Sequence, residues 1–123
     1  MSVGGILGMN NINLPFAEIG ILVSVIVLGV LILADVRLPM LVSSVLVGVF
    51  ALCHGHAHGA ELPAAASGVT YAIGFALTTV ILHLSGISFG AVVNKVASEK
   101  IVKLSGAMIA LMGLFLSYIY FVQ

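Results

Sequence analysis

Three of the chain's four histidines fall within five residues, in the stretch LCHGHAHGAELP from Leu52 to Pro63. Glu61, one of only four acids, follows three residues after His58. Imidazole and carboxylate are ligands for divalent transition metals. On a helix, at about 100° per residue, His54 and His58 lie one turn and about 40° apart. Glu61 falls about 20° to the other side of His54 if the helix runs that far. His54, His58 and Glu61 therefore make one stripe, and His56 points to nearly the opposite face. Two imidazoles at i and i+4 can hold one ion, and a carboxylate a turn further on can be a third ligand or orient an imidazole. Gly55 and Gly59 alternate with the histidines in a G-x-x-x-G spacing that lets another helix approach closely. Two other readings stay open. The histidines can be interfacial groups with their polar tips in water, or a proton relay without metal.

The remaining polar residues add to or subtract from this set. His83 sits inside TTVILHLSG, where a neutral imidazole needs a partner and Thr79, one turn earlier, is available. It is expected to be either a satisfied core histidine or a pathway ligand. Gly86 and Gly90 follow with a second small-x-x-x-small spacing. Glu18 opens an apolar run; it either favours the positive helix N-terminus or joins the site from the same membrane side as Glu61. Cys53, the single cysteine, cannot form an internal disulfide. It reads as a small core residue before it reads as a soft ligand. Asp35 and Arg37 read as a turn pair. The zinc-protease helix has Glu directly after the first His, and here that position is Gly55. There is no G-x-S-x-G elbow, no P-loop and no Ser/His/Asp set, so the chain is expected not to be an enzyme. No permanently bound cofactor is expected.

The elements that must position these groups are membrane helices. Of 123 residues, 62% are hydrophobic and only 7% charged, with mean hydropathy +1.32. A soluble domain carries about 25% charged residues, so this chain could not cover a core in water. Net charge near zero excludes a basic face for nucleic acid. The fold class is all-α, an integral membrane bundle of about four transmembrane helices forming one domain over 1–123. The helices are expected at about 17–34, 38–58, 65–92 and 103–122, with sequential neighbours antiparallel. Residues 1–16 are too short an apolar piece to span and have no positively charged leader pattern. They read as a flexible tail or as the stub of an earlier helix. Arg37, Lys95, Lys100 and Lys103 all fall on loops of one side, which should be cytoplasmic. The histidine cluster and both termini then face outward from the cell's inner (plasma) membrane.

The run LPFAEIGILVSVIVLGVLI, then RLP, FALCHGHAHGAELP and YAIGFALTTVILHLSGISFG, resembles the HupE/UreJ family over nearly the whole chain from Leu14. The most specific piece is His-Gly-x-x-His-Gly-x-Glu, matched by His54, Gly55, His58, Gly59 and Glu61. His56 occupies a position which that pattern leaves free. The resemblance implies a secondary permease for Ni²⁺, with Co²⁺ second, serving hydrogenase or urease maturation. It also implies membrane lipid and the ion itself as the partners. Family members have about six helices and an earlier His-Pro-x-x-Gly-x-Asp-His motif, which is absent here. The chain thus resembles the C-terminal two-thirds of a member, and MSVGGILG the tail of an earlier helix. On that reading a homo-oligomer or a separate N-terminal half is an expected partner, and a non-transporting accessory subunit is the alternative. Ion would meet His54, His58 and Glu61 at the outer mouth and pass inward by His83. Only neutral imidazole binds metal, so uptake should fall as pH drops through about 6.5.

Overall fold

The computed structural model describes residues 1–62 and 67–123, the Asn94 side chain excepted. Among these residues there are five helices and no strand: α1 (Ser2–Met9), α2 (Ala17–Leu33), α3 (Met40–Ala60), α4 (Gly68–Val96) and α5 (Glu99–Val122). The expected loop at Glu61 to Ala64, Pro63 as a helix stop and a helix start at Ala65 fall partly or wholly outside the described residues.

Local chemistry sets the ends. After α1, Asn11 turns left-handed (φ 54°), and before α2 Phe16 takes a left-handed φ of 73°. Glu18 then sits in the first turn, where the helix dipole favours a carboxylate. After α2, Asp35 also turns left-handed (φ 51°), a conformation that Asp tolerates better than most residues. Pro39 precedes α3 with φ −56°, and the Ser43 hydroxyl donates back to its carbonyl at 3.2 Å. Ser67 caps α4 by accepting from the Thr70 N–H. The last helix begins at Glu99, four residues before the expected start at Lys103. Ser98 supplies the extended N-cap, and Glu99 and Lys103 close an i,i+4 ion pair across the first turn. A search for apolar residues alone stops at Lys103 and misses this charged turn, whose long side chains can reach the membrane interface. Asp35 and Arg37 share their turn without forming an ion pair.

Among the described residues, three helices are long and apolar enough to cross a membrane: Met40–Ala60, Gly68–Val93 and Glu99–Val122. The fourth, α2, is apolar and has 17 residues, about 26 Å at 1.5 Å per residue. Among the described residues almost nothing is buried: Ala17 and Ala110 are the buried apolar side chains and Ser24 the buried polar one. Leu, Ile, Val and Phe side chains point outward along every long helix. In water such a surface would aggregate; in a bilayer it meets lipid. This is a membrane protein.

With no core of large side chains, the helices hold together where small residues let backbones touch. Antiparallel α2 and α5 meet at Gly29, Gly106, Ala110 and Gly113. A Cβ on Gly29 would lie 2.5 Å from the Ala110 nitrogen, and one on Gly106 would lie 2.5 Å from the Leu33 nitrogen. The second close pair is α1 on α3, running parallel, with Gly4 against Leu52 and His56, and Gly8 against His56 to Ala60. From the other side, a Cβ on Gly55 would strike the Met1 carbonyl and one on Gly59 the Gly5 carbonyl. The two pairs join through α2 and α3, where the Cys53 sulfur packs over Gly20. The packed order is a row, α5–α2–α3–α1–α4.

Two expectations are corrected here. Residues 2–9 are not a flexible tail but a helix docked on the histidine-bearing segment. Nor do all sequential neighbours pack together: α4 and α5, joined by a tight turn, are not packed side by side. The small face of α5 is already occupied by α2. Gly86 and Gly90, expected to receive a close helix, have nothing within 4 Å of where a Cβ would stand.

Candidate metal site

All the groups of interest except His83 gather at one end of the row. The ends of α1, α3 and α5 and the starts of α2 and α4 meet there. Arg37, Lys95, Lys100 and Lys103 lie toward the other end, as the pairing of Leu33 with Gly106 requires. The histidine end thus has two carboxylates, Glu18 and Glu61, and no Lys or Arg. A carboxylate-rich mouth with low-dielectric walls attracts cations.

His54 and His58 follow one another along α3, and Glu61 is its C-cap. The Glu61 N–H still reaches the Ala57 carbonyl at 3.2 Å, so the helical stripe continues to the carboxylate. His58 Nδ1 stands 3.6 Å from Glu61 Oε2, with the side chains 50% and 73% exposed. That is too long for a hydrogen bond and leaves both groups open to a further partner. Aromatic residues of α4 fix His58 from outside: Phe75 tilts against its ring at 5.4 Å, and the Tyr71 hydroxyl donates to its carbonyl at 2.6 Å.

The other imidazoles are each tied to a backbone carbonyl, and this dictates their tautomers. A carbonyl only accepts, so the nitrogen facing it must carry the hydrogen. His54 Nδ1 faces Phe50 O at 3.2 Å, His83 Nδ1 faces Thr79 O at 2.7 Å, and His56 Nε2 faces Ile12 O at 2.8 Å. In the neutral state this leaves lone pairs on Nε2 of His54, Nε2 of His83 and Nδ1 of His56. Metal-binding histidines are held in this way, with one N–H on a carbonyl and the other nitrogen free. Thr79 partners His83 as expected, through its backbone rather than its hydroxyl. His83 itself lies on the exposed face of α4, away from the other three.

A cavity of about 540 Å³ opens at the same end. Its walls come from three helices: Glu18 of α2, His56 and Ala57 of α3 with Glu61 at its cap, and Tyr120 of α5. The Asn13–Phe16 loop closes one side. Glu18 and Glu61 thus share a cavity, and His56, turned away from the stripe, faces into it. His54 and His58 are not among its walls. Glu61 therefore belongs to both arrangements, beside His58 on one flank and lining the cavity on the other. Among the described residues no three His, Cys, Asp or Glu side chains converge tightly enough to hold one ion. Tyr120, Tyr71 and Phe75 were not singled out by the sequence. Their signal was positional, at helix ends level with the cluster, and needed the packing register to be read.

The fold and the site define a polytopic helical membrane protein with a histidine–carboxylate mouth. The chain belongs to the HupE/UreJ family, whose model, described as "HupE / UreJ protein", matches residues 1–116. It is 39% identical over 113 residues to "Protein HupE" of Rhizobium leguminosarum bv. viciae, covering 92% of this chain and 59% of that protein. The chain thus spans about three fifths of that relative's length. No solved structure matches.

Proposed function

We propose that this chain forms a membrane pathway for a divalent transition-metal ion, nickel first and cobalt second, supplying hydrogenase or urease maturation. One observation carries the reading. Glu18, His56 and Glu61 line one cavity, His58 stands against Glu61, and carbonyl-held tautomers keep an open nitrogen on His54 and His56. The ion is collected in the Glu18–His56–Glu61 cavity and handed across Glu61 to His58 and His54. No nucleotide-binding motif is present, so the drive is an ion gradient or a partner. The metal is cargo rather than a resident cofactor. The chemistry of imidazole and carboxylate admits Ni²⁺, Co²⁺ and Zn²⁺ alike; nickel is favoured by the family resemblance. The histidine end faces out of the plasma membrane and the basic end faces the cytoplasm.

A second reading is favoured by the open row of helices and by the match to only 59% of the relative. In it the chain binds the ion at the same residues but passes it only when further helices are supplied. Uptake of ⁶³Ni into cells expressing the chain, beside a His54→Ala/His58→Ala double variant at equal membrane abundance, decides between them. Uptake lost in the variant supports the pathway. Metal binding without uptake supports the accessory reading. Neither binding nor uptake overturns both.

A further inference from the structure

The packing of α2 on α5 has a fixed register. Leu33 stands against Gly106, Gly29 against Ala110, and Ile26 against Gly113. Each pair of numbers sums to 139, as in an antiparallel pair with no slip between the first contact and the last. Continued outward, the same register sets Tyr120 level with Ile19 and beside Glu18, at the first turn of α2. The side chains agree: Tyr120 and Glu18 line the same cavity. Glu18 has no Lys or Arg near it at this end of the molecule, and no other ion pair claims it among the described residues. A carboxylate on an apolar helix can swing between rotamers, and a hydroxyl from a second, rigidly docked helix removes that freedom.

We propose that Tyr120 is a positioning residue for the metal site, its hydroxyl donating to the Glu18 carboxylate and holding it toward His56 and Glu61. The assignment rests on the cation-binding role given above to the cavity. It also adds α5, otherwise remote from the histidine motif, to the site. Tyr120 lies beyond residues 1–116, which the family model matches. The glycines of α5 then have a second consequence: by fixing the register, they carry the hydroxyl to its carboxylate.

The test has two readouts on the full chain in detergent. The first needs no metal. The protein has three tyrosines, and ¹³Cζ labelling gives each its own NMR line, with that of Tyr120 identified by its loss in Tyr120→Phe. Glu18→Gln should move the Tyr120 line and leave that of Tyr71 in place. The second readout is ⁶³Ni equilibrium binding. Tyr120→Phe keeps the ring and its packing, and should weaken Ni²⁺ binding about tenfold, the scale for losing a partner that orients a ligand. In a Glu18→Gln background the same change should have no further effect. A tyrosine that only anchors α5 at the interface would leave its line unmoved by Glu18→Gln. An unmoved line, unchanged Ni²⁺ binding in Tyr120→Phe, or equal losses in both backgrounds would each overturn the assignment. If the line moves but the parent chain binds no Ni²⁺, the hydroxyl–carboxylate pair stands and the metal reading of the cavity falls.

Discussion

Glu61 is the residue on which the two halves of the site converge. It stands beside His58 on the α3 stripe and also lines the cavity with Glu18 and His56. Its loss should therefore be felt on both sides. Glu61→Gln keeps the shape and removes the charge, and Ni²⁺ binding should fall about 10- to 100-fold, measured by equilibrium dialysis. His56→Ala removes one cavity wall group and leaves the stripe intact, so its loss should be smaller than that of His58→Ala. If His56→Ala proves the more damaging, the cavity outranks the stripe as the site. Protonation acts in a known direction. Each open imidazole nitrogen must be unprotonated to ligate, so Ni²⁺ binding should weaken as the solution is acidified. Binding indifferent to acidification would remove the histidines from the site. The sequence pattern alone put His54, His58 and Glu61 on one stripe and Glu18 on the same membrane side as Glu61, because helical spacing is periodic and the basic loops mark one side. It could not show that His56 faces a cavity. On α3 alone His56 simply lies off the stripe, and the group that gives that face a role comes from α2.

At the scale of the elements, glycine decides which helices meet. The α1–α3 contact is backbone on backbone, with Gly4 and Gly8 against the backbone of Leu52 to Ala60, and Gly55 and Gly59 against that of Met1 and Gly5. A side chain at Gly59 must push α1 away, since the Gly5 carbonyl occupies the place of its Cβ. Gly59→Leu should destabilise the folded chain by about 1–3 kcal/mol, the usual range for overpacking a close contact. Its thermal unfolding in detergent, followed by far-UV circular dichroism, should shift down accordingly. Gly86→Leu is the matched control: nothing stands within 4 Å of that Cβ, so the same measurement should show no loss. A loss at Gly86 equal to that at Gly59 would mean that α4 has a helix against it in detergent. The long helices were legible because runs of apolar residues bounded by Pro, Asp and charged turns leave few choices for their ends. The docking of α1 was not. Eight residues, SVGGILGM, carry no usable hydrophobic period, and glycine content argues against an isolated helix. Only the groove along Gly55 and Gly59 makes that helix worth forming. The small-residue spacing at Gly86 and Gly90 gave the same signal without a partner, so the motif marks a surface that can be approached closely, not one that is.

Over the whole molecule, the basic residues are sorted by end. Arg37, Lys95, Lys100 and Lys103 lie toward one end, while Glu18, Glu61 and three imidazoles lie at the other. Two physical rules then give the same orientation. Basic loops stay on the cytoplasmic side, and a mouth that collects scarce cations should open toward their source with carboxylates rather than ammonium groups around it. On the proposed function, both predict that the histidine end faces outside. The orientation can be read with single cysteines in a Cys53→Ser background, which removes the native thiol. Gln123→Cys reports the histidine end, since α5 terminates there, and Ser98→Cys reports the basic end at a cap whose side chain makes no hydrogen bond. On intact cells a membrane-impermeant maleimide should label Gln123→Cys at once and Ser98→Cys only after lysis. The reverse pattern would turn the mouth toward the cytoplasm. The same residues would then serve release or efflux of the ion rather than its capture, because the site's chemistry is the same from either side and only its placement sets the direction of use.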